Sequence, residues 1–404
     1  MSTSPMIEAT NEIAQTSNSA SLLVCLPFAT ADELHTIQAM LAAALSGQQM
    51  LLAAPGLETS PEQSAEFAIL DYPTTAQRDG TWALTAVDYL SASQLAVEHN
   101  ADVTLILGAE ADSLSPTAFS ALVIAVVNGK ADLAIPHYTT GPHDALVSSA
   151  LLYPMTNALF GVTAHMPLPP DIAFSSKMAH RLTTVARKPA TGLANPLLWP
   201  ASEATLASLI VREVEVGNRT LPQPVNADLN TLLAEVVGSL FSDTELKATF
   251  WQRARPAMPV QPRTQPAPSI SPIEELEEVR AMVESFRIAY DNLQEIWSLV
   301  LPPQSLLRVK RISRASAEEF SFPTDLWART VYDFLLAYHL RTINRGHLLG
   351  ALTPMYLAWV ASHLRNSEGD AAKSAYHIEE TAAAFVAEKP YIVSRWRWPD
   401  RFNP

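Results

Sequence analysis

Four short apolar runs, each separated from the next by a stretch of helical spacing, constrain most strongly how this chain folds. Leu22-Leu23-Val24-Cys25-Leu26-Pro27, Met50-Leu51-Leu52-Ala53-Ala54, Val103-Thr104-Leu105-Ile106-Leu107 and Ala131-Asp132-Leu133-Ala134-Ile135-Pro136 have strand length and near-continuous apolar character, as strands covered on both faces do. Between the first two, Asp32 to Ser46 places Leu34, Ile37, Leu41, Ala44 and Leu45 on one helical face. Further helices are predicted from about Thr81 to His99 and from Pro116 to Val127. Strands alternating with helices of this length imply an α/β fold with a mostly parallel sheet and helices on both faces. Ligands of such sheets collect at the carboxyl ends of the strands.

The third run leaves its strand through an acidic turn, Gly108-Ala109-Glu110-Ala111-Asp112. An acid-x-acid pair at such an exit can hold Mg²⁺ or Mn²⁺ against a diphosphate and leave other positions open for substrate. Here Gly108 stands at the first place and Glu110 at the second, with Asp112 beyond. A single carboxylate after a strand is also an ordinary solvated turn residue, and both readings stand.

Composition removes several function classes. A chain of 404 residues, 48% hydrophobic, can bury a sizeable core in two or three packed units. A net charge of −14 with 27 Lys and Arg gives no basic footprint for nucleic acid. Arg308-Val309-Lys310-Arg311 reads as a helix end or a solvated loop. The single cysteine, Cys25, has no internal disulfide partner, which suits a reducing cytoplasm. No basic flank followed by an apolar stretch opens the chain, so no signal peptide is expected. Leu348 to Ser362 is the most apolar segment, but it falls short of the roughly 20 residues that span a bilayer and reads as a buried helix. Thirty prolines against 13 glycines reverse the balance of a glycine-rich phosphate loop. Gly-x-Ser-x-Gly, Cys-x-x-Cys, His-Glu-x-x-His and phosphate-loop signatures do not occur.

Residues 1–20, rich in Ser, Thr and Asn, are expected to be disordered. The α/β unit is assigned to 21–250 and a proline-rich spacer to 251–272, where Pro256, Pro259, Pro262, Pro266, Pro268 and Pro272 forbid helix or interior strand. An all-α unit follows over 273–404. Ser271, Pro272 and Glu274 form a capping-box signal. Leu276, Val279, Val283, Phe286, Tyr290, Leu293, Trp297 and Val300 then fall on one stripe. Packing against helices of the same chain is favoured over an intermolecular coiled coil, because the run barely reaches the heptads the latter needs. Residues 323–388 supply three more helical stretches. His339, His347 and His363 lack metal-ligand spacing and read as core or helix-end residues. His143 and His165, beside prolines, read as surface loop residues. Trp396-Arg397-Trp398 either docks the chain end or offers a stacking surface for a sugar.

Residues 141–182 carry a denser pattern, in which Asp144, Tyr153, Pro154, Thr156, Ala158, Leu159, Phe160, Gly161, Asp171 and Ser175 fall in order. This segment resembles bacterial glycosyltransferases related to glucosylglycerate, glucosyl-3-phosphoglycerate and mannosylglycerate synthases. The similarity extends to Ala337-Tyr338-His339-Leu340-Arg341-Thr342 and Ala351-Leu352-Thr353-Pro354-Met355-Tyr356-Leu357, and so covers most of residues 21–400.

The resemblance implies a GT-A fold, a Rossmann-like nucleotide-sugar domain followed by helices. It implies retaining transfer of a hexose from a nucleotide sugar to a small glycerate-type acceptor, with Mg²⁺ or Mn²⁺ on the diphosphate. Asp171 would position acceptor or sugar hydroxyls beside Asp144, although Asp144 is equally a cap for the helix starting at Ala145. Glu110 would hold the metal or the ribose edge with Asp112 nearby, and Arg78 would contact phosphate. The family's metal-binding His falls on Asn226, or on Asp228 in a shifted register. Other positions depart as well. The family's two glycines fall on Pro169 and Pro170, which lack N–H donors. An Asp before a Trp falls on Leu197, two residues before Trp199. A glycine-rich stretch is reduced to Arg78-Asp79-Gly80. Without the metal, the leaving diphosphate needs another positive charge, for which Arg78, Lys177 and Arg181 are the candidates. The first expectation is therefore a glycosyltransferase-family protein with a degraded metal motif and its transfer activity open. The second is a non-catalytic relative whose helical stripe binds a partner, a second copy or an active homologue.

Overall fold

The computed structural model describes residues 21–48, 50–55, 67–72, 82–187, 196–224, 228–255, 272–316 and 319–398. The expected alternation builds a seven-stranded sheet of β1 (Leu22–Cys25), β2 (Met50–Ala54), β3 (Phe67–Asp71), β4 (Val103–Ile106), β5 (Leu133–Thr139), β6 (Ile172–Ser175) and β7 (Val211–Asn218). The order is β3-β2-β1-β4-β6-β5-β7. β6 runs antiparallel to both β4 and β5, and the other pairs are parallel. This is the mostly parallel α/β layer of the sequence reading.

Helices α1 (Ala31–Ala44) and α3 (Pro116–Val127) cover one face, and α2 (Ala86–Glu98), α4 (Tyr153–Phe160) and α5 (Ser176–Ala186) pack on the other. Short α6 (Pro200–Leu206), long α7 (Leu229–Leu246) and short α8 (Ala248–Trp251) follow. The starts obey local chemistry. Thr30 and Glu33 form a reciprocal capping box at α1, Pro116 takes the first turn of α3, and Asp228 accepts from Thr231 N at 2.9 Å at the head of α7.

Alternate strand residues serve opposite cores, as a pleated strand requires. Leu22, Val24, Leu52 and Leu105 pack with Leu41, Phe119 and Leu122, whereas Leu23, Cys25, Ile106 and Ile135 face the other way. That second core continues without a break into the carboxyl-terminal helices α9 (Pro272–Val300), α10 (Pro303–Ile312), α11 (Thr324–Leu340), α12 (Arg345–Ser367), α13 (Ala371–Ala387) and α14 (Lys389–Arg397). On α9 the buried stripe is Val279, Val283, Phe286, Tyr290, Trp297 and Val300, lying along α12, with Trp297 Nε1 donating to Ala351 O at 2.9 Å. Ser271 and the side chains of Glu274 and Leu276 lie outside the described residues. The apolar segment around Leu348–Ser362 is the buried middle of α12, and among the described residues no helix is long and apolar enough to cross a membrane. The basic run ends α10, where Lys310 and Arg311 complement the helix carboxyl terminus. Trp396 stacks on His339 at 4.1 Å and meets Trp251 edge-on at 5.2 Å, docking the end of the chain.

A π-helical turn, Ser148–Leu152, precedes α4, and Trp327 of α11 donates its indole N–H to Ala150 O there at 2.7 Å. The helical region is thus bonded to the backbone of the sheet's own connections as well as packed on them.

Candidate functional site

The acidic turn and a cavity one layer away are both served by β5, because consecutive residues of a strand point to opposite faces. Tyr138 points to the turn, and His137 to the cavity.

At the turn, antiparallel pairing of Ile106 with Ile172 sets Asp171 beside Gly108. Asp171 is fully buried and saturated: Gly108 N donates to Oδ1 at 3.0 Å, Tyr138 OH to Oδ2 at 2.8 Å, and Arg219 Nε to Oδ2 at 2.9 Å. Burial and the neighbouring Asp171 push the Tyr138 phenol well above its ordinary value, so it stays a donor. Arg219 follows β7, and its guanidinium also donates to the carbonyls of Ala109 and Glu110 and, at 2.9 Å, to Ser113 Oγ. Glu110 takes a left-handed backbone, φ 61°, that turns its carbonyl to Arg219 and leaves its carboxylate exposed. Asp112 is exposed in the short helical turn that follows.

A divalent cation does not fit these residues. A guanidinium already neutralises the one buried carboxylate, and the first acid cannot be supplied at position 108, where a Cβ would meet Pro170 O at 2.5 Å. Pro169 and Pro170 are buried beside it. Of the cations named from sequence, Lys177 is exposed on α5 and Arg181 is paired with Glu203 at 2.6 Å. Arg78 and Asn226 lie outside the described residues, and Asp228 is occupied as a helix cap. Sequence reasoning missed Arg219. Its one signal was an arginine after a strand in a chain poor in basic residues.

The cavity, of about 100 Å³, lies between β5 and the segment after it, the connection after α4, His363 of α12, and α13. Asp144 is at its rim, where its carboxylate accepts from Gly141 N at 2.8 Å and closes the 141–144 turn rather than capping the helix ahead. The wall is ionic. His165 Nδ1 is 3.0 Å from Glu213 Oε2, and His165 Nε2 is 2.7 Å from Glu379 Oε1. His165 N also donates to Glu213 Oε1 at 2.7 Å. Tyr153, the tyrosine of the Tyr-Pro-x-Thr pattern, stacks on His165 at 4.3 Å and donates to Glu379 Oε2 at 3.0 Å. His165 is therefore not the surface loop residue its proline-rich surroundings suggested.

Burial works against charge on His165, but the hydrogen bonds it donates to Glu213 and Glu379 outweigh it and raise the imidazole to about 9. Burial likewise works against Glu213, yet His137 and His165 hold it down to about 2. Burial and Glu379 keep the Tyr153 hydroxyl protonated far above its usual range. At neutral pH the wall is an imidazolium bound between two carboxylates. Beneath it, His363 and His377 are buried with Nδ1 atoms 3.0 Å apart, His363 stacked on Trp359, in line with the core role read for His363.

No family model matches this sequence, and no curated protein does. Some solved structures are similar to it at low scores. One is a glucosyl-3-phosphoglycerate synthase from Mycobacterium tuberculosis in complex with Mn²⁺, UDP and glucosyl-3-phosphoglycerate: 14% identity, TM-score 0.38, 60% of this chain and 85% of that one. The same enzyme with Mn²⁺, UDP-glucose and phosphoglyceric acid gives 15% identity, TM-score 0.37, and 60% and 84% coverage. A putative nucleotide-diphospho-sugar transferase from Desulfovibrio desulfuricans G20 gives 13%, 0.29, and 53% and 87%. A likeness of this degree says nothing of what this chain binds.

Proposed function

We propose that this protein is a relative of the nucleotide-sugar transferases in which the cation seat has become a structural ion pair, and that it acts by binding rather than by metal-assisted hexose transfer. The observation that carries this is the Arg219 guanidinium between Asp171 and the carbonyls of Ala109 and Glu110. A positive charge fixed inside the fold cannot release a diphosphate or exchange with solvent, and Pro170 bars the return of a first acid. Further support comes from the motif residues of 141–182 and from the sheet order. In this reading 21–250 is the transferase-like unit and 273–404 the helical unit, joined by 251–272. The helical unit then offers the face for a partner, a second copy or an active homologue, in the cytoplasm.

Titration calorimetry with common nucleotide sugars, with and without Mn²⁺, tests it. No Mn²⁺-dependent binding is expected at millimolar ligand. Metal-dependent binding that disappears in Glu110→Ala would overturn the proposal and favour a retaining hexosyltransferase acting on a glycerate-type acceptor, with Asp171 and Asp144 in the roles the resemblance implies.

A further inference from the structure

We propose that His137, His165 and Glu213 form a binding site for a divalent transition ion of the zinc type, with its open coordination position facing the cavity. The site is independent of the acidic turn, and its residues are none of those the resemblance implies for a metal.

One donor atom from each of the three side chains lies within 4.8 Å of the others. Two of the separations are close to those of a coordination polyhedron: from Glu213 Oε1, His165 Nδ1 is 3.1 Å and His137 Nδ1 3.2 Å. Ligands about 2.0–2.2 Å from a tetrahedral ion stand roughly 3.3–3.5 Å apart, so closure needs only small side-chain movements. His137 Nδ1 is buried, and its nearest polar neighbour is Glu213 Oε1 at 3.2 Å. An ion binding here takes the place of the proton that His165 Nδ1 holds toward Glu213, which passes to solvent.

The surroundings supply what such a site needs. A metal-bound imidazole commonly donates its second N–H to a carboxylate, which fixes the tautomer and ring orientation. His165 Nε2 meets Glu379 at 2.7 Å, and Tyr153 OH holds that carboxylate in turn. The backbone contributes too. The β5–β7 register skips Val216 opposite the step from His137 to Tyr138, a bulge that bends β7 beside the site. Two imidazoles and one carboxylate favour zinc-like ions over Mg²⁺ or Ca²⁺, which prefer all-oxygen ligand sets. With three protein ligands and a cavity on the fourth side, the ion would keep a position for water or a small anionic ligand.

Titration of the chelator-treated full chain with Zn²⁺, with Co²⁺ as a spectroscopic probe and Mg²⁺ as the hard-ion control, tests the site. One Zn²⁺ per chain at micromolar affinity or tighter is expected, with a visible Co²⁺ spectrum of four-coordinate type and no comparable Mg²⁺ binding. Glu379→Gln should weaken Zn²⁺ roughly 10–100-fold, and His137→Gln and Glu213→Gln should weaken it more. His137 lines the cavity and gives up one 3.2 Å contact with Glu213, so His137→Gln is the milder change; with the circular dichroism of the parent it decides the matter even if Glu213→Gln fails to fold. Absence of stoichiometric Zn²⁺ uptake, uptake unchanged in His137→Gln, or equal affinity for Mg²⁺ would overturn the proposal.

Discussion

Arg219 Nε stands 2.9 Å from Asp171 Oδ2 with neither side chain exposed to solvent. Two ions so deeply buried hold each other in place, and losing one leaves the other without compensation. Arg219→Leu is expected to destabilise the fold by about 3–5 kcal/mol. Arg219→Leu combined with Asp171→Asn should cost clearly less than the sum of the single changes. Denaturant midpoints of the four proteins measure this, and strict additivity would show that the pair is not coupled.

Gly108→Asp would put an acid-x-acid pair, with Glu110, at the exit of β4. In the fold its Cβ would meet the backbone oxygen of Pro170 at 2.5 Å, and a carbonyl cannot rotate aside as a side chain can. The variant should lose about 1–3 kcal/mol from overpacking and gain no Mn²⁺ affinity. Thermal unfolding with and without Mn²⁺ reads both effects; a metal-dependent rise in Tm would contradict the steric account.

Acid should unfold the protein through its buried histidine pair. Burial first, and then the neighbouring His377, lowers His363 from 6.5 to about 3; burial lowers His377 to about 4. Between these values and 6.5 the unfolded chain holds more protons than the folded one, so stability rises with pH in that window and is lost as pH falls through it. The slope is at most about 1.4 kcal/mol per pH unit for each histidine. His377→Gln should flatten the stability profile between pH 6.5 and 4, and an unchanged slope would place the acid sensitivity elsewhere.

Trp327 bonds the helical region to the π-helical turn through its 2.7 Å contact with Ala150 O. Trp327→Phe keeps an aromatic ring but loses that hydrogen bond, at an expected cost of about 0.5–1.5 kcal/mol. Equilibrium unfolding measures the loss.

Much of the architecture was legible because it is local. The runs at Leu22, Met50, Val103 and Leu133 became strands, and the stripe through Val283, Phe286 and Trp297 became the buried face of α9, since periodicity and burial are one signal. β3, β6 and β7 were not foreseen. β6 is a four-residue strand inside a proline-rich connection, and β7 is an edge strand reading Val-Arg-Glu-Val-Glu-Val, with charges where a central strand has apolar residues. The sites were less legible. Asp171 and Tyr153 stood out through a motif, yet their partners Arg219 and Glu379 lie 48 and 226 positions away along the chain.

By itself the sequence determined the layered α/β plan and the all-α end, because each is written in neighbouring residues. Only the tertiary structure decided that Arg219 occupies the turn, and that His137, His165, Glu213 and Glu379 converge on one cavity. Charge pairing acts through space, and no spacing along the chain encodes which carboxylate a buried cation will meet.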